Sequence, residues 1–166
     1  MMRSTFFAAF VIGTVLSGIA PSAHAQEGRP SALAAVREAP NQRTTAMKIS
    51  IRVQDKVITA TLTDNATSRD FVSLLPMSLT LEDYAATEKV SDLPRKLSTE
   101  GAPAGSTPSV GDIAYYAPWG NLAMFYKDFR YSSGLIKLGK IDSGIEALNY
   151  PGSANVTIEL SVGFRA

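Results

Sequence analysis

The clearest structural signal in the chain is Gly111-Asp112-Ile113-Ala114-Tyr115-Tyr116-Ala117-Pro118-Trp119-Gly120-Asn121-Leu122-Ala123-Met124-Phe125-Tyr126-Lys127-Asp128-Phe129-Arg130-Tyr131. Two apolar segments, Asp112 to Ala117 and Asn121 to Phe129, flank Pro118-Trp119-Gly120, a tripeptide of turn-forming type. These 21 positions hold seven of the 14 aromatic residues of the chain. The stretch therefore predicts a β-hairpin that carries an aromatic surface.

Outward from this hairpin, apolar and polar residues alternate with the period of two that is typical of half-buried strands. The strands predicted from it are Met47 to Val53, Ile58 to Leu62, Met77 to Tyr84, Leu135 to Ile141 and Val156 to Phe164. Short α-helices are predicted at Asn65 to Leu75 and at Gly144 to Leu148, each followed by a proline. Many short strands without a βαβ rhythm predict a mainly β fold, closed into a small barrel that leaves no free sheet edge.

The N-terminal 25 residues have the pattern of a signal peptide. Arg3 precedes an apolar run from Phe6 to Ile19, and Ala23-His24-Ala25 has the small-x-small form of a cleavage site. Residues 26–46 are rich in Ala, Pro, Arg, Gln and Thr, which predicts a flexible linker. We therefore expect a single folded domain over residues 47–166 in a periplasmic or secreted protein of bacterial type.

Composition excludes several classes of function. Without its first 25 residues the chain has 15 basic and 15 acidic residues, so no net charge would attract nucleic acid or an anionic membrane. It has no cysteine, and its one histidine, His24, lies in the signal peptide. We therefore expect no thiol chemistry, no metal, no cofactor, and neither a nucleic-acid partner nor a membrane partner after signal cleavage.

Four motifs in one order resemble the bacterial cyclophilin-like domain family. They are Leu93-Pro94-Arg95-Lys96-Leu97, Gly101-Ala102-Pro103-Ala104-Gly105, Gly111-Asp112-Ile113 with Tyr115 to Leu122, and Gly134 to Gly144. The resemblance extends from about Met47 to Phe164. It implies an eight-stranded cyclophilin-type barrel with two short helices, and it leaves the reaction open because the bacterial family is known mainly by its fold.

True cyclophilins are peptidyl-prolyl isomerases, and the resemblance implies two correspondences with their groove. Met124-Phe125 is similar to the Phe-Phe pair on the groove floor, and Arg95 lies upstream of the paired strands as the catalytic arginine does. Holding a twisted X-Pro peptide against a donor such as Arg95 would lower a rotation barrier of ~18–20 kcal/mol. The Phe-His-Arg surroundings of that arginine and the rim histidine have no counterpart here, which favours binding over catalysis.

The aromatic residues supply the candidate binding site. Flat amphipathic rings suit an extended or proline-containing peptide, or a small apolar ligand. The residues assigned to this groove are Tyr84, Tyr116, Trp119, Met124, Phe125 and Tyr126. Strand alternation sends about half of such rings inward, and it places Phe125 on the face opposite to Met124 and Tyr126. The sequence therefore predicts a non-catalytic binding module, with a divergent isomerase that uses Arg95 as the alternative.

A carboxylate enzyme is a third hypothesis. Glu82 with Asp83, or Asp128 with Asp142, would be the acid and base pair of a glycosidase-like site. Adjacent strand residues point to opposite faces, which argues against Glu82 with Asp83. Solvated surface acids are the simpler interpretation of all four residues.

Overall fold

The computed structural model describes residues 46–161. The predicted signal peptide (1–25) and the predicted linker (26–46), apart from Ala46, lie outside the described residues. Within 46–161 the elements in chain order are β1 (Met47–Val53), β2 (Lys56–Leu62), α1 (Ala66–Val72), β3 (Met77–Tyr84), β4 (Glu88–Asp92), β5 (Gly105–Ser106), β6 (Asp112–Tyr116), β7 (Asn121–Phe125), β8 (Ser132–Ser133), β9 (Leu135–Ser143), a 3-10 helix (Ile145–Leu148) and β10 (Ala154–Leu160).

Eight of these strands form one closed antiparallel barrel in the order β1-β10-β3-β4-β7-β6-β9-β2. The remaining two, β5 and β8, pair with each other as a separate two-stranded ribbon. Closure pairs every barrel strand on both sides, so the barrel itself has no strand edge open to another chain. The prediction of a mainly β fold with a closed eight-stranded barrel is confirmed.

The prediction of two short α-helices is wrong. The described residues contain one α-helix, α1, whose N-cap Asn65 accepts a hydrogen bond from the backbone N–H of Ser68 at 2.8 Å. The second predicted helix, Gly144 to Leu148, is a 3-10 helix in which Ala147 N–H donates to the Gly144 carbonyl at 2.9 Å. Bonds three residues apart close a tighter turn, which suits a segment of four residues before Pro151.

Strand β4 is absent from the sequence prediction. Its sequence, Glu88-Lys89-Val90-Ser91-Asp92, has no alternating apolar residues. The inward position that an apolar residue would normally take is occupied by Lys89, which is only 1% exposed. The ends of three other strands also differ: β7 stops at Phe125 rather than Phe129, β9 extends to Ser143, and β10 covers Ala154–Leu160. Residues 162–164 of the predicted last strand lie outside the described residues.

The barrel interior is filled by the inward residues of the alternating strands, and Phe71 of α1 closes it from one side. Ile49, Ile51 and Ile58 have no exposed surface. Met124 of β7 belongs to the same cluster, also with none of its surface exposed. A second and smaller cluster lies apart from this core and consists of Ala114, Ala123, Phe125 and Leu135.

Candidate functional site

The second cluster is the floor of a groove on the outer face of β4, β7, β6 and β9. In β7, Leu122 and Met124 join the barrel core, so the period of two sends Asn121, Ala123 and Phe125 to the other face. Ala123 and Phe125 are 3% and 2% exposed, although they lie outside the barrel. Side chains from outside the sheet must therefore cover this face.

Aromatic rings provide that cover. Trp119 lies at the tip of the β6–β7 hairpin, where Gly120 adopts a φ of 79° and its N–H donates to the Tyr116 carbonyl at 2.8 Å. The Trp119 ring meets Tyr116 at a centroid distance of 5.3 Å and Tyr84 at 5.6 Å, edge to face in both pairs. Trp119 is nevertheless 57% exposed and Tyr84 44%. The rings thus form a wall that remains open to solvent.

Floor and wall enclose a cavity of about 260 Å³, which we call the aromatic groove. Its lining residues are Tyr84, Glu88, Val90, Tyr116, Trp119, Asn121, Ala123, Phe125, Phe129, Arg130, Ser132 and Leu135. Aromatic and aliphatic side chains make up most of this lining, and four polar side chains interrupt it: Glu88, Asn121, Arg130 and Ser132. An apolar cavity with a few polar groups is the usual form of a ligand site.

The polar groups lie at separate points of the groove. Glu88 of β4 is in register with Phe125 at one end, and Asp92 of β4 is in register with Asn121 at the other. Four residues of antiparallel strand separate Asn121 from Phe125, which corresponds to about 14 Å. Burial in the groove raises the pKa of Glu88 to about 7, with a smaller contribution from the negative charge of Asp83.

The structure brings four of the predicted groove residues together and separates two from them. Tyr84, Tyr116, Trp119 and Phe125 all line the aromatic groove. Met124 points into the barrel core, and Tyr126 lines a different cavity. The prediction that Phe125 lies opposite to Met124 and Tyr126 describes this arrangement correctly.

Arg95 lies outside the aromatic groove, on the surface beside α1. Its guanidinium donates two hydrogen bonds to the Asp70 carboxylate, at 2.5 and 3.0 Å, and one to the Ser73 hydroxyl at 2.9 Å. The hydrogen bond from Arg95 is the main cause that lowers the pKa of Asp70 to about 2, and the N–H of Ser98 adds to it. These contacts tie the segment after β4 to the helix.

The cavity that contains Tyr126 has a volume of about 550 Å³ and surrounds the buried ammonium of Lys89. Lys89 Nζ lies 3.0 Å from the Asp83 carboxylate, donates to the Tyr150 carbonyl at 2.7 Å, and sits 4.1 Å from the centre of the Tyr150 ring. Tyr126 donates to Asp83 at 2.7 Å. The buried ammonium thus contacts a carboxylate, a carbonyl and a ring, so its charge is paired, as buried charges generally are.

The carboxylates of the glycosidase-like hypothesis are engaged in separate contacts. Asp83 binds Lys89 and Tyr126, whereas Glu82 pairs in register with Val90 on the other face of the sheet. Asp128 accepts the N–H of Val110 at 2.8 Å, and Asp142 accepts the hydroxyl of Thr61 at 2.7 Å. Neither pair forms a joint site.

The sequence prediction named four of the twelve residues that line the groove, and the polar residues Glu88 and Asn121 are among those it missed. Glu88 was missed because strand β4 was not predicted, and only the pairing of β4 with β7 places Glu88 beside Phe125. Asn121 begins β7 within the quoted stretch, and the alternation that located Phe125 also places Asn121 on the outer face. In residues 46–161 no three His, Cys, Asp or Glu side chains group as metal ligands, and no helix is long and apolar enough to span a membrane.

Comparison with known proteins gives a family and a fold. The profile of the Cyclophilin-like family matches residues 51–159. No curated protein matches the chain significantly. The solution structure of a hypothetical protein from Archaeoglobus fulgidus is similar, with a TM-score of 0.57 and 17% identity, over 73% of this chain and 99% of that one. Since the family profile covers more than half of the sequence, the chain belongs to the cyclophilin-like family.

Proposed function

We propose that this protein is an exported, non-catalytic module that binds an extended peptide, or a small apolar ligand, in the aromatic groove. One observation carries the proposal: Trp119 and Tyr84 stand edge to face over an apolar floor while about half of each ring remains exposed. Large apolar side chains exposed in one patch mark interaction sites. Trp and Tyr are also the residues that contribute most to binding energy at such sites.

The closed barrel restricts how a peptide binds. Because every barrel strand is paired on both sides, a peptide has no barrel edge to extend as an added strand. It must instead lie across the outer face and contact the rings. The groove floor runs for about 14 Å along β7, which is the length of about four extended residues. A short extended or proline-containing segment therefore fits this surface best.

Arg95 gives no support to the alternative of a peptidyl-prolyl isomerase. Its guanidinium is held by Asp70 and Ser73, and it is not among the residues that line the aromatic groove. Catalysis by Arg95 would require this pair to break and the arginine to reach the groove. Export rests on the predicted signal peptide and is tested by N-terminal sequencing of the secreted chain, for which we expect a start at Gln26.

The binding test uses the chain from Gln26 and a panel of blocked tetrapeptides with and without proline. Since Trp119 is the only tryptophan in the sequence, its fluorescence and its indole NMR signal report directly on the groove. We expect both to change on titration, and we expect Trp119→Ala to weaken binding about tenfold or more, as measured by calorimetry. The matched control is Tyr131→Ala, because Tyr131 is also 57% exposed but does not line the groove.

Two results would contradict the proposal. The first is a panel in which no peptide shifts the signals of Trp119, Tyr84 or Tyr116. The second is equal loss of binding in Trp119→Ala and Tyr131→Ala. Exchange NMR on X-Pro peptides tests catalysis in the same samples. Turnover that falls in Arg95→Ala would replace binding with isomerisation as the function.

A further inference from the structure

The aromatic groove contains two acceptors that the protein itself leaves without partners. The side-chain oxygen Oδ1 of Asn121 is buried, in a residue only 5% exposed, and accepts no hydrogen bond in the described part of the chain. A buried acceptor is destabilising until a donor reaches it. Because Asn121 lines the groove, a bound molecule is placed to supply that donor.

Glu88 is the second acceptor. Within residues 46–161 its carboxylate forms no salt bridge: the five ion pairs there join Lys48, Arg69, Lys89, Arg95 and Lys137 to aspartates. Among the described residues, the groove lining contains one cation, Arg130, whose guanidinium carbon lies 5.4 Å from the centre of the Phe129 ring. An acid without a counter-ion in an apolar groove gains most from a cationic ligand.

The ring wall favours the same charge. Tyr84 of β3 is directly opposite Glu88 of β4 in the antiparallel register, and the Trp119 ring is 5.6 Å from Tyr84. The π faces of Trp and Tyr attract ammonium groups that approach within about 6 Å. The Glu88 carboxylate and these rings line the same groove and therefore provide both components of an ammonium site.

We propose, on the basis of the binding function proposed above, that the aromatic groove selects a basic, extended ligand. A protonated amine would lie between Glu88 and the rings of Tyr84 and Trp119. A second N–H of the ligand would donate to Asn121 Oδ1 in the same groove. A lysine side chain in an extended peptide has both features, and a free alkylammonium has the first alone.

Several other ionisable groups lie around Glu88. They are Tyr84 across the register, Asp83 and Lys89 beside it in β3 and β4, Tyr126 after β7, and Arg130 in the groove lining. Burial and, to a smaller extent, the negative charge of Asp83 raise the pKa of Glu88 to about 7. A cation binds the ionised form, so affinity should rise about tenfold from about pH 6 to about pH 8. The lysine amine, with a pKa of about 10.4, stays protonated throughout.

The experiment compares three blocked tetrapeptides that differ at one position, which is lysine, acetyl-lysine or norleucine, and adds n-butylammonium as a fourth ligand. Affinity is read from Trp119 fluorescence and calorimetry. We expect the lysine peptide to bind about tenfold more tightly than the norleucine peptide at about pH 8. Glu88→Gln should abolish this preference and its pH dependence. Glu82→Gln, the same change at an exposed position of β3, should preserve both.

The acceptor at Asn121 is tested by a separate variant. Asn121→Ala should weaken the lysine and norleucine peptides to the same extent, because it removes an acceptor that both use. If n-butylammonium binds with the same dependence on Glu88, the site is assigned to small amines. If n-butylammonium does not bind but the lysine peptide does, the site is assigned to peptides. Either result supports an ammonium site.

The proposal is overturned by equal affinities for lysine and norleucine peptides, or by a lysine preference that survives in Glu88→Gln. In both cases the norleucine peptide still changes the Trp119 signal, and the binding function stands without charge selection. A panel in which no ligand changes that signal would refute the binding function and the charge selection together.

Discussion

Replacing Glu88 with glutamine should stabilise the protein at neutral and alkaline pH and leave its stability near pH 4 unchanged. The folded protein raises the pKa of Glu88 from 4.5 to about 7, first through burial and then through repulsion by Asp83. Between these two values the folded state holds a proton that the unfolded chain has released. Stability therefore falls as the pH rises through this window. Glutamine has no proton to lose, so the variant avoids this fall.

The size of the effect follows from the two pKa values. A pKa shift of one unit corresponds to about 1.36 kcal/mol. The shift of about 2.5 units in Glu88 therefore sets an upper limit of about 3.4 kcal/mol on the change in the free energy of unfolding. Glu88 is only partly buried, and water screens its charge. We therefore expect about half of the limit, about 1.5 kcal/mol, as the gain in the free energy of unfolding for Glu88→Gln at about pH 8.

Urea denaturation followed by far-ultraviolet circular dichroism, with linear extrapolation to water, measures this difference at several pH values. Glu82→Gln is the matched control and should change the free energy of unfolding by less than about 0.5 kcal/mol at every pH, because Glu82 is exposed. A difference between parent and Glu88→Gln that stays constant from about pH 4 to about pH 8 would refute the reasoning. So would a variant less stable than the parent at about pH 8.

Three further substitutions test the fold around the groove. Met124→Ala should lower the free energy of unfolding by about 2–5 kcal/mol, because it leaves a cavity in the barrel core; a loss below about 1 kcal/mol in urea would contradict that position. Asp70→Asn should lower the free energy of unfolding by about 1 kcal/mol at neutral pH. This loss should vanish as the pH falls from about 4 to about 2, because the parent carboxylate, whose pKa is lowered to about 2, also takes up a proton there. A loss that persists in unfolding curves measured in acid would argue against the Arg95 contact as its source. Gly139→Ala should lower the free energy of unfolding by about 1–3 kcal/mol, because the added Cβ would lie 2.3 Å from the Thr61 carbonyl oxygen. An unchanged midpoint of thermal unfolding would mean that β2 and β9 separate easily.

Strand prediction succeeded where one face of a strand is apolar and the other is polar. β1, β2 and β3 have this pattern, and the structure places each within a residue or two of the predicted bounds. β4 lacks it because Lys89 occupies the inward position. Its ammonium is satisfied by the Asp83 carboxylate, the Tyr150 carbonyl and the Tyr150 ring, none of which is near Lys89 in sequence apart from Asp83. Because these partners are mostly distant in sequence, the residues around Lys89 show no alternation of apolar and polar residues from which a strand could be predicted.

The same reason separates the predicted from the unpredicted parts of the site. Alternation along β7 assigns Phe125 and Met124 to opposite faces from the sequence alone, because the period of two is a local property of an extended backbone. The role of Arg95 depends on Asp70, which is 25 residues away, and on how the segment after β4 lies against α1. That contact is visible only in the folded chain.

The sequence by itself determined the closed β-barrel, the cyclophilin-like family and the aromatic character of one hairpin, since these follow from periodicity, turn residues and motif order. Only the tertiary structure decided which rings meet and which polar groups they surround. Glu88, Tyr84 and Trp119 come from three separate segments. The register of β3 and β4 places Glu88 opposite Tyr84, and the turn between β6 and β7 brings Trp119 against Tyr84. Register depends on packing across the whole barrel, so no single segment of the sequence encodes the groove.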